Sequence, residues 1–113
     1  MNKVGTEGEQ IAVEYLESQG YTVLARNFSW KTGEIDVVAK RNGYLVFVEV
    51  KARLTKRFGT PMDAVTLEKQ KKIVRTAEYY MLKNKIFDAD VRFDVIEVFA
   101  DKVNHVENAF WAN

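Results

Sequence analysis

The chain has no cysteine, one proline and one histidine in 113 residues. The missing thiols exclude disulfides and thiolate metal sites, and a lone histidine cannot assemble a zinc set. No Ser-His-Asp arrangement is apparent, and there is no glycine-rich phosphate loop. Gly5 and Gly8 do not follow a strand, so they form no dinucleotide fingerprint. No apolar run approaches the roughly 18 residues of a membrane span, and the N-terminus lacks an apolar leader segment. The expectation is a single cytoplasmic domain spanning residues 1–113, with no membrane partner.

What is abundant is charge, and it is unevenly spread. The formal net charge is +1. Residues 1–20 carry one Lys and four Glu, whereas residues 51–75 carry eight cations (Lys51, Arg53, Lys56, Arg57, Lys69, Lys71, Lys72 and Arg75) against Asp63 and Glu68. A near-neutral total therefore hides a strongly basic stretch. A polyanion is the partner such a stretch suits, and nucleic acid is the obvious one. The plainer reading is a solvated helix face followed by a loop.

Hydrophobic periodicity supplies the elements. Ile11, Ala12, Tyr15 and Leu16 recur at helical spacing within residues 6–19, with Gly20 as the stop. Thr6 and Glu9 form a T-x-x-E capping box. Glu9 also falls at the edge of the apolar arc, so it either caps the helix or points toward a sheet. Residues 21–28 read as a strand, followed by a turn over 29–33 and two further strands within 33–51. Residues 53–62 read as a loop. A second helix, starting at Asp63 or Thr66, runs to Lys83 on Ile73, Val74, Ala77, Tyr80 and Met81, with Asn84 as its cap. Lys69 and Gln70 share its inward face at the first turn, where they contact either solvent or substrate. Residues 91–99 form another strand, and 104–107 a short edge strand. The order is helix, three strands, helix, one or two strands. That order predicts an α/β fold with a mixed central sheet and helices on both of its faces.

The segment with chemical content is the pair of strands joined by Asn42-Gly43, a dipeptide that favours the two-residue hairpin turn. Counting outward from that turn, Arg41 meets Tyr44, Val38 meets Phe47, Asp36 meets Glu49 and Glu34 meets Lys51. Opposed residues have Cβ atoms about 4.5–5.5 Å apart, and like charges there repel. A divalent cation would compensate. Magnesium takes oxygen ligands from one or two carboxylates, water and substrate phosphate, so Asp36 and Glu49 suit it, with Glu9 as a third acid. Lys51 either stabilises the charge of a reacting phosphate or simply pairs with Glu34. His105 reads as a turn or edge residue.

An acid on one strand followed by Glu-x-Lys on the next, in this order of elements, resembles the PD-(D/E)xK nuclease superfamily and its restriction-endonuclease-like αβββαβ core. More narrowly, residues 33–36 (Gly-Glu-Ile-Asp), 46–51 (Val-Phe-Val-Glu-Val-Lys), 92–94 (Arg-Phe-Asp) and 108–110 (Asn-Ala-Phe) resemble the YraN-like bacterial family. That family is similar to archaeal Holliday junction resolvases. The resemblance implies a magnesium- or manganese-dependent endonuclease acting on DNA, branched or otherwise structured. Its site would be Asp36, Glu49 and Lys51 with Glu9 as the helix acid, and the Val50 carbonyl would join Asp36 and Glu49 on the metal. Lys69 or Gln70 would fill an auxiliary polar position. Arg53, Lys56 and Arg57 would join Lys69 and Gln70 on the nucleic acid, and a resolvase-like activity implies a homodimer. Ile35 stands where the superfamily name has Pro. Two other classes stay open. One is a nucleic-acid-binding module with a weak or inactive site that acts with a partner protein. The other is an interaction protein using Phe110, Trp111 and the edge strand.

Overall fold

Asn42 and Gly43 both have positive φ, 51° and 84°, the signature of the hairpin turn whose twist matches that of its strands. In the computed structural model, which describes residues 3–53 and 65–112 (residues 3–6 by backbone alone), this turn fixes the register of the sheet. Arg41 pairs with Tyr44, and the ladder continues through Val38 opposite Phe47 to Val37 opposite Val48. The counted register is therefore the observed one as far as Val37.

The elements run α1 (Lys3–Ser18), β1 (Thr22–Trp30), β2 (Gly33–Arg41), β3 (Tyr44–Arg53), α2 (Leu67–Lys83), β4 (Asp90–Phe99) and β5 (Lys102–Phe110). The five strands form one sheet in sequence order. β3 and β4 are parallel and the other pairs antiparallel, because α2 carries the chain back across the sheet between them. The mixed α/β class and the αβββαβ order expected from the sequence are both present. Thr66 caps α2 by accepting from the Lys69 N–H, and Asn84 closes it. β5 is longer than the short edge strand expected.

Two apolar clusters hold these layers together. Ala12, Val13 and Leu16 of α1 pack with Val37, Ala39, Val46, Val48, Ile96 and Val98. Ile73, Ala77 and Tyr80 of α2 pack with Val38, Leu45, Phe47, Phe93 and Val95. Along β3 the two sets alternate residue by residue, as side chains of a central strand do. β2 breaks that rule once. Ile35 and Val38 are three apart yet share the α2 cluster, so the alternation is interrupted across Asp36.

Three details differ from expectation. α1 begins at Lys3, which puts Thr6 inside the helix and removes the capping box from its N-terminus. Glu34 bonds Ser29 on β1 (3.1 Å), and the β2–β3 ladder ends before Glu34 could meet Lys51. His105 lies on the edge strand as expected, but its side chain is only 7% exposed.

That burial belongs to a polar network between α1, β4 and β5. Asp94 is fully buried and takes two bonds from Arg92 (2.9 and 2.8 Å), one from His105 Nε2 (2.7 Å) and one from the Asn108 N–H (2.9 Å). Burial alone would raise its pKa, but the bonds from His105, Arg92 and Asn108 outweigh it and hold the carboxyl below its usual range. An ionised Asp94 accepts only, so Nε2 carries the proton. In the neutral ring Nδ1 then accepts from Tyr15 O–H at 3.0 Å. Arg92 also reaches the Tyr21 hydroxyl (2.5 Å) and Glu107 (3.3 Å). Truncating Asp94 would strip Arg92 of its buried counter-charge and leave the His105 Nε2 and Asn108 N–H donors without an acceptor, so Asp94→Ala should cost about 3–5 kcal/mol in denaturant unfolding. Glu107→Ala, at the exposed rim of the same network, should cost under about 1 kcal/mol.

Candidate functional site

β3 runs beside β4 for its whole length, from Tyr44 with Asp90 to Arg53 with Phe99. β2 meanwhile stays with β1 down to Gly33 opposite Trp30. Since the β2–β3 ladder stops at Val37 opposite Val48, the two central strands part at Asp36 and Glu49. Backbone groups freed in such a fork need partners. One is satisfied by a side chain: the Val50 N–H donates to Asp36 Oδ2 at 2.7 Å.

Glu49 is 5% exposed and Asp36 is largely buried, so neither carboxylate is well solvated. Burial pushes the Asp36 carboxyl up to about 8, and the adjacent Glu49 charge and carboxyl contact add to the shift. The Val50 N–H opposes it, and the Glu9 charge raises it further. The expected meeting of Asp36 with Glu49 is therefore present, with Glu9 close enough to be felt. At neutral pH this arrangement holds a proton between the two strand acids. Lys69 supplies a cation from the first turn of α2, where its ammonium forms an ion pair with Glu49.

Glu9 reaches this end of the sheet because of Gly8. A Cβ on Gly8 would lie 2.6 Å from the Ala52 Cβ, too close for any real contact, so only glycine lets α1 cross β3 there. Glycine inside a helix costs about 0.5–1 kcal/mol relative to alanine, and the close approach accounts for its presence.

The remaining candidates divide. Lys51 is half-buried, two residues beyond Glu49 on β3, and forms no ion pair among the described residues. Gln70 does not meet the carboxylates; its amide donates to the Val65 carbonyl at 3.1 Å. Arg53 is half-buried and committed to Glu97 on β4 by an ion pair. Lys56 and Arg57, like the loop expected over 53–62 beyond Arg53, lie outside the described residues. Val50 adjoins the pair through its N–H bond to Asp36.

Among the described residues no three His, Cys, Asp or Glu side chains are grouped closely enough to cage a metal alone. An ion held by only two carboxylates completes its shell with water or substrate oxygens. The ammonium of Lys69 and the shared proton both stand where positive charge is needed, which is the property a divalent cation would satisfy. Sequence reasoning missed the Arg92, Asp94, His105 and Tyr15 network, and the Arg-Phe-Asp segment was its only visible signal. No helix among the described residues is long and apolar enough to cross a membrane.

The chain was compared with known proteins. Residues 8–98 match uncharacterised protein family UPF0102. A UPF0102 protein of Clostridioides difficile is 45% identical over 94% of this chain and 95% of its own length. One of Alkaliphilus oremlandii is 48% identical over 96% and 97%, and one of Persephonella marina 43% identical over 94% and 91%.

Two outcomes follow from the geometry. The raised Asp36 pKa means that its contribution to metal-free stability is full below about pH 4 and is lost as pH rises toward about 8. Thermal unfolding in EDTA should show stability falling across that window, by up to about 1 kcal/mol per pH unit, and Asp36→Asn should flatten the fall. Gly8→Ala should cost about 1–3 kcal/mol by overpacking against Ala52, read as a lowered denaturation midpoint.

Proposed function

This chain belongs to uncharacterised protein family UPF0102, and we propose from its own residues that it is a metal-dependent endonuclease hydrolysing phosphodiester bonds of DNA. The observation that carries the reading is the Asp36 and Glu49 carboxyl pair at a strand fork, Glu49 buried and Asp36 poorly enough solvated that its pKa is raised. A structural role gives no reason to bury two carboxylates against each other at a net cost in stability. The PD-(D/E)xK likeness of Asp36, Glu49 and Lys51 points the same way.

In this reading Asp36 and Glu49 hold Mg²⁺ or Mn²⁺, with the Val50 carbonyl beside them. The chemistry such an ion would supply is polarisation of the phosphoryl oxygen and a lowered pKa for the attacking water. Glu9, on α1, orients that water. Lys51 donates to the non-bridging phosphate oxygens, where negative charge grows in the transition state. Lys69 neutralises Glu49 while the metal is absent and is free to meet phosphate once it is bound. Arg53 has a smaller part than its sequence position suggests, because Glu97 already holds it. Branched or otherwise structured DNA, met in the cytoplasm and cut by a homodimer, is the substrate class that follows from the resolvase likeness.

A second reading, a nucleic-acid-binding module with a weak or inactive site, is favoured by one fact. The described residues offer no three-ligand cage, so metal affinity rests on two acids. Incubation with linear, flapped and four-way DNA in Mg²⁺ or Mn²⁺ separates the two. The nuclease reading expects cleavage that Asp36→Ala, Glu49→Ala and Lys51→Ala each nearly abolish, since the groups act as a unit. Cleavage that survives Asp36→Ala, or no cleavage of any substrate, would sink it. Calorimetric titration with Mn²⁺ should give binding to the wild type and none to Asp36→Ala.

A further inference from the structure

The outward face of α2 carries a feature that none of these roles uses. Lys71 and Arg75 are exposed, one helical turn apart, and together they form a ridge between two grooves. On one side a groove of about 550 Å³ is lined by Trp30, Lys31, Lys72 and Glu68 as well as the two ridge cations. On the other side Lys71 and Arg75 line a groove of about 390 Å³ with Leu67, Gln70, Glu78 and Trp111. A basic ridge is thus flanked by a tryptophan on each side.

The two rings differ in how they are held. Trp30 is stacked on Tyr79 of α2, with centroids 4.1 Å apart and planes within 2°. Phe28 continues the row against Tyr79 at 6.1 Å, and the Lys31 ammonium lies 5.0 Å from the Trp30 centroid. That makes a rigid aromatic platform with a cation on it. Trp111 is 67% exposed, so its ring is accessible to a ligand. Lys72 shares its charge with Glu68 at 3.6 Å, while Lys71 and Arg75 form no ion pair among the described residues.

We propose that this ridge binds an unpaired nucleic-acid strand, with phosphates on Lys71, Arg75 and the Lys31 ammonium held over Trp30, and a base stacked on Trp111. Positive charge tracking a backbone beside flat aromatic rings is how single strands are bound without sequence preference. A duplex would satisfy the cations but has no free base faces for the rings. The carboxylate fork lies against the inward face of the same helix, where Lys69 pairs with Glu49, while Lys71, two residues on, points to the other side. Resting on the nuclease reading, the inference makes the preferred substrate one that carries a single-stranded arm.

The test uses the full chain in EDTA, where no cleavage occurs, with labelled 15-nucleotide oligo(dT), oligo(U) and a blunt hairpin duplex. Binding by anisotropy, with quenching of tryptophan fluorescence, should favour a single strand over the duplex by about tenfold or more; which oligomer binds tighter identifies the sugar. Trp111→Ala should weaken single-strand binding about 5- to 150-fold and leave duplex binding unchanged. Because Trp111 is exposed, the substitution spares the fold. The Lys71→Ala/Arg75→Ala double variant should lower the slope of log affinity against log salt by about 1.4, at about 0.7 per phosphate contact. Equal affinity for single strand and duplex, or full binding by Trp111→Ala, overturns the proposal. Strand binding on this ridge without cleavage in Mn²⁺ would leave it standing and remove the nuclease reading. Cleavage of blunt duplex by wild type and Trp111→Ala alike would do the reverse.

Discussion

The register set by Asn42 and Gly43 is the constraint on which the rest of the molecule depends. A slip of one residue would turn the face of every β2 side chain relative to β3. Val37 would leave the α1 cluster that holds Val48, Val38 would leave the α2 cluster that holds Phe47, and Asp36 would no longer meet Glu49. Both turn residues adopt positive φ, which few residue types accept cheaply. Two adjacent residues thereby decide both the packing of the sheet and the meeting of its acids.

Much of this was legible because the signals were local. The Asn-Gly turn, the helical spacing of Ile11 to Leu16, the Asn84 cap and the apolar run of β3 each specify their own element, and the parallel β3–β4 pair follows from a helix lying between two strands. The Asp36 and Glu49 meeting was readable for the same reason, being only a count outward from a turn. Glu9 was less so. Its wheel position left two roles open, and the choice depended on Gly8 meeting Ala52, a contact between residues distant in the chain.

What sequence reasoning misplaced depended on tertiary contacts. His105 had no visible partner nearby in sequence, yet Asp94 and Tyr15 converge on it from β4 and α1. Arg53 looked like a free cation because its partner Glu97 lies on a parallel neighbour. Glu34 and Lys51 were paired by counting, but the strands part before reaching them. That parting begins at Asp36 and Glu49, so the failure of simple counting coincides with the candidate site.

The contact between Gly8 and Ala52 also bears on the order in which the site forms. The two strand acids are brought together by a two-residue hairpin, a closure of microseconds. The third acid must wait until α1 docks across the end of β3, which closes a much longer loop and carries its larger entropy cost. The carboxylate pair thus closes a short loop and its helix partner a long one. A chain caught between those stages would have the acids opposed while the surface that α1 covers was still open.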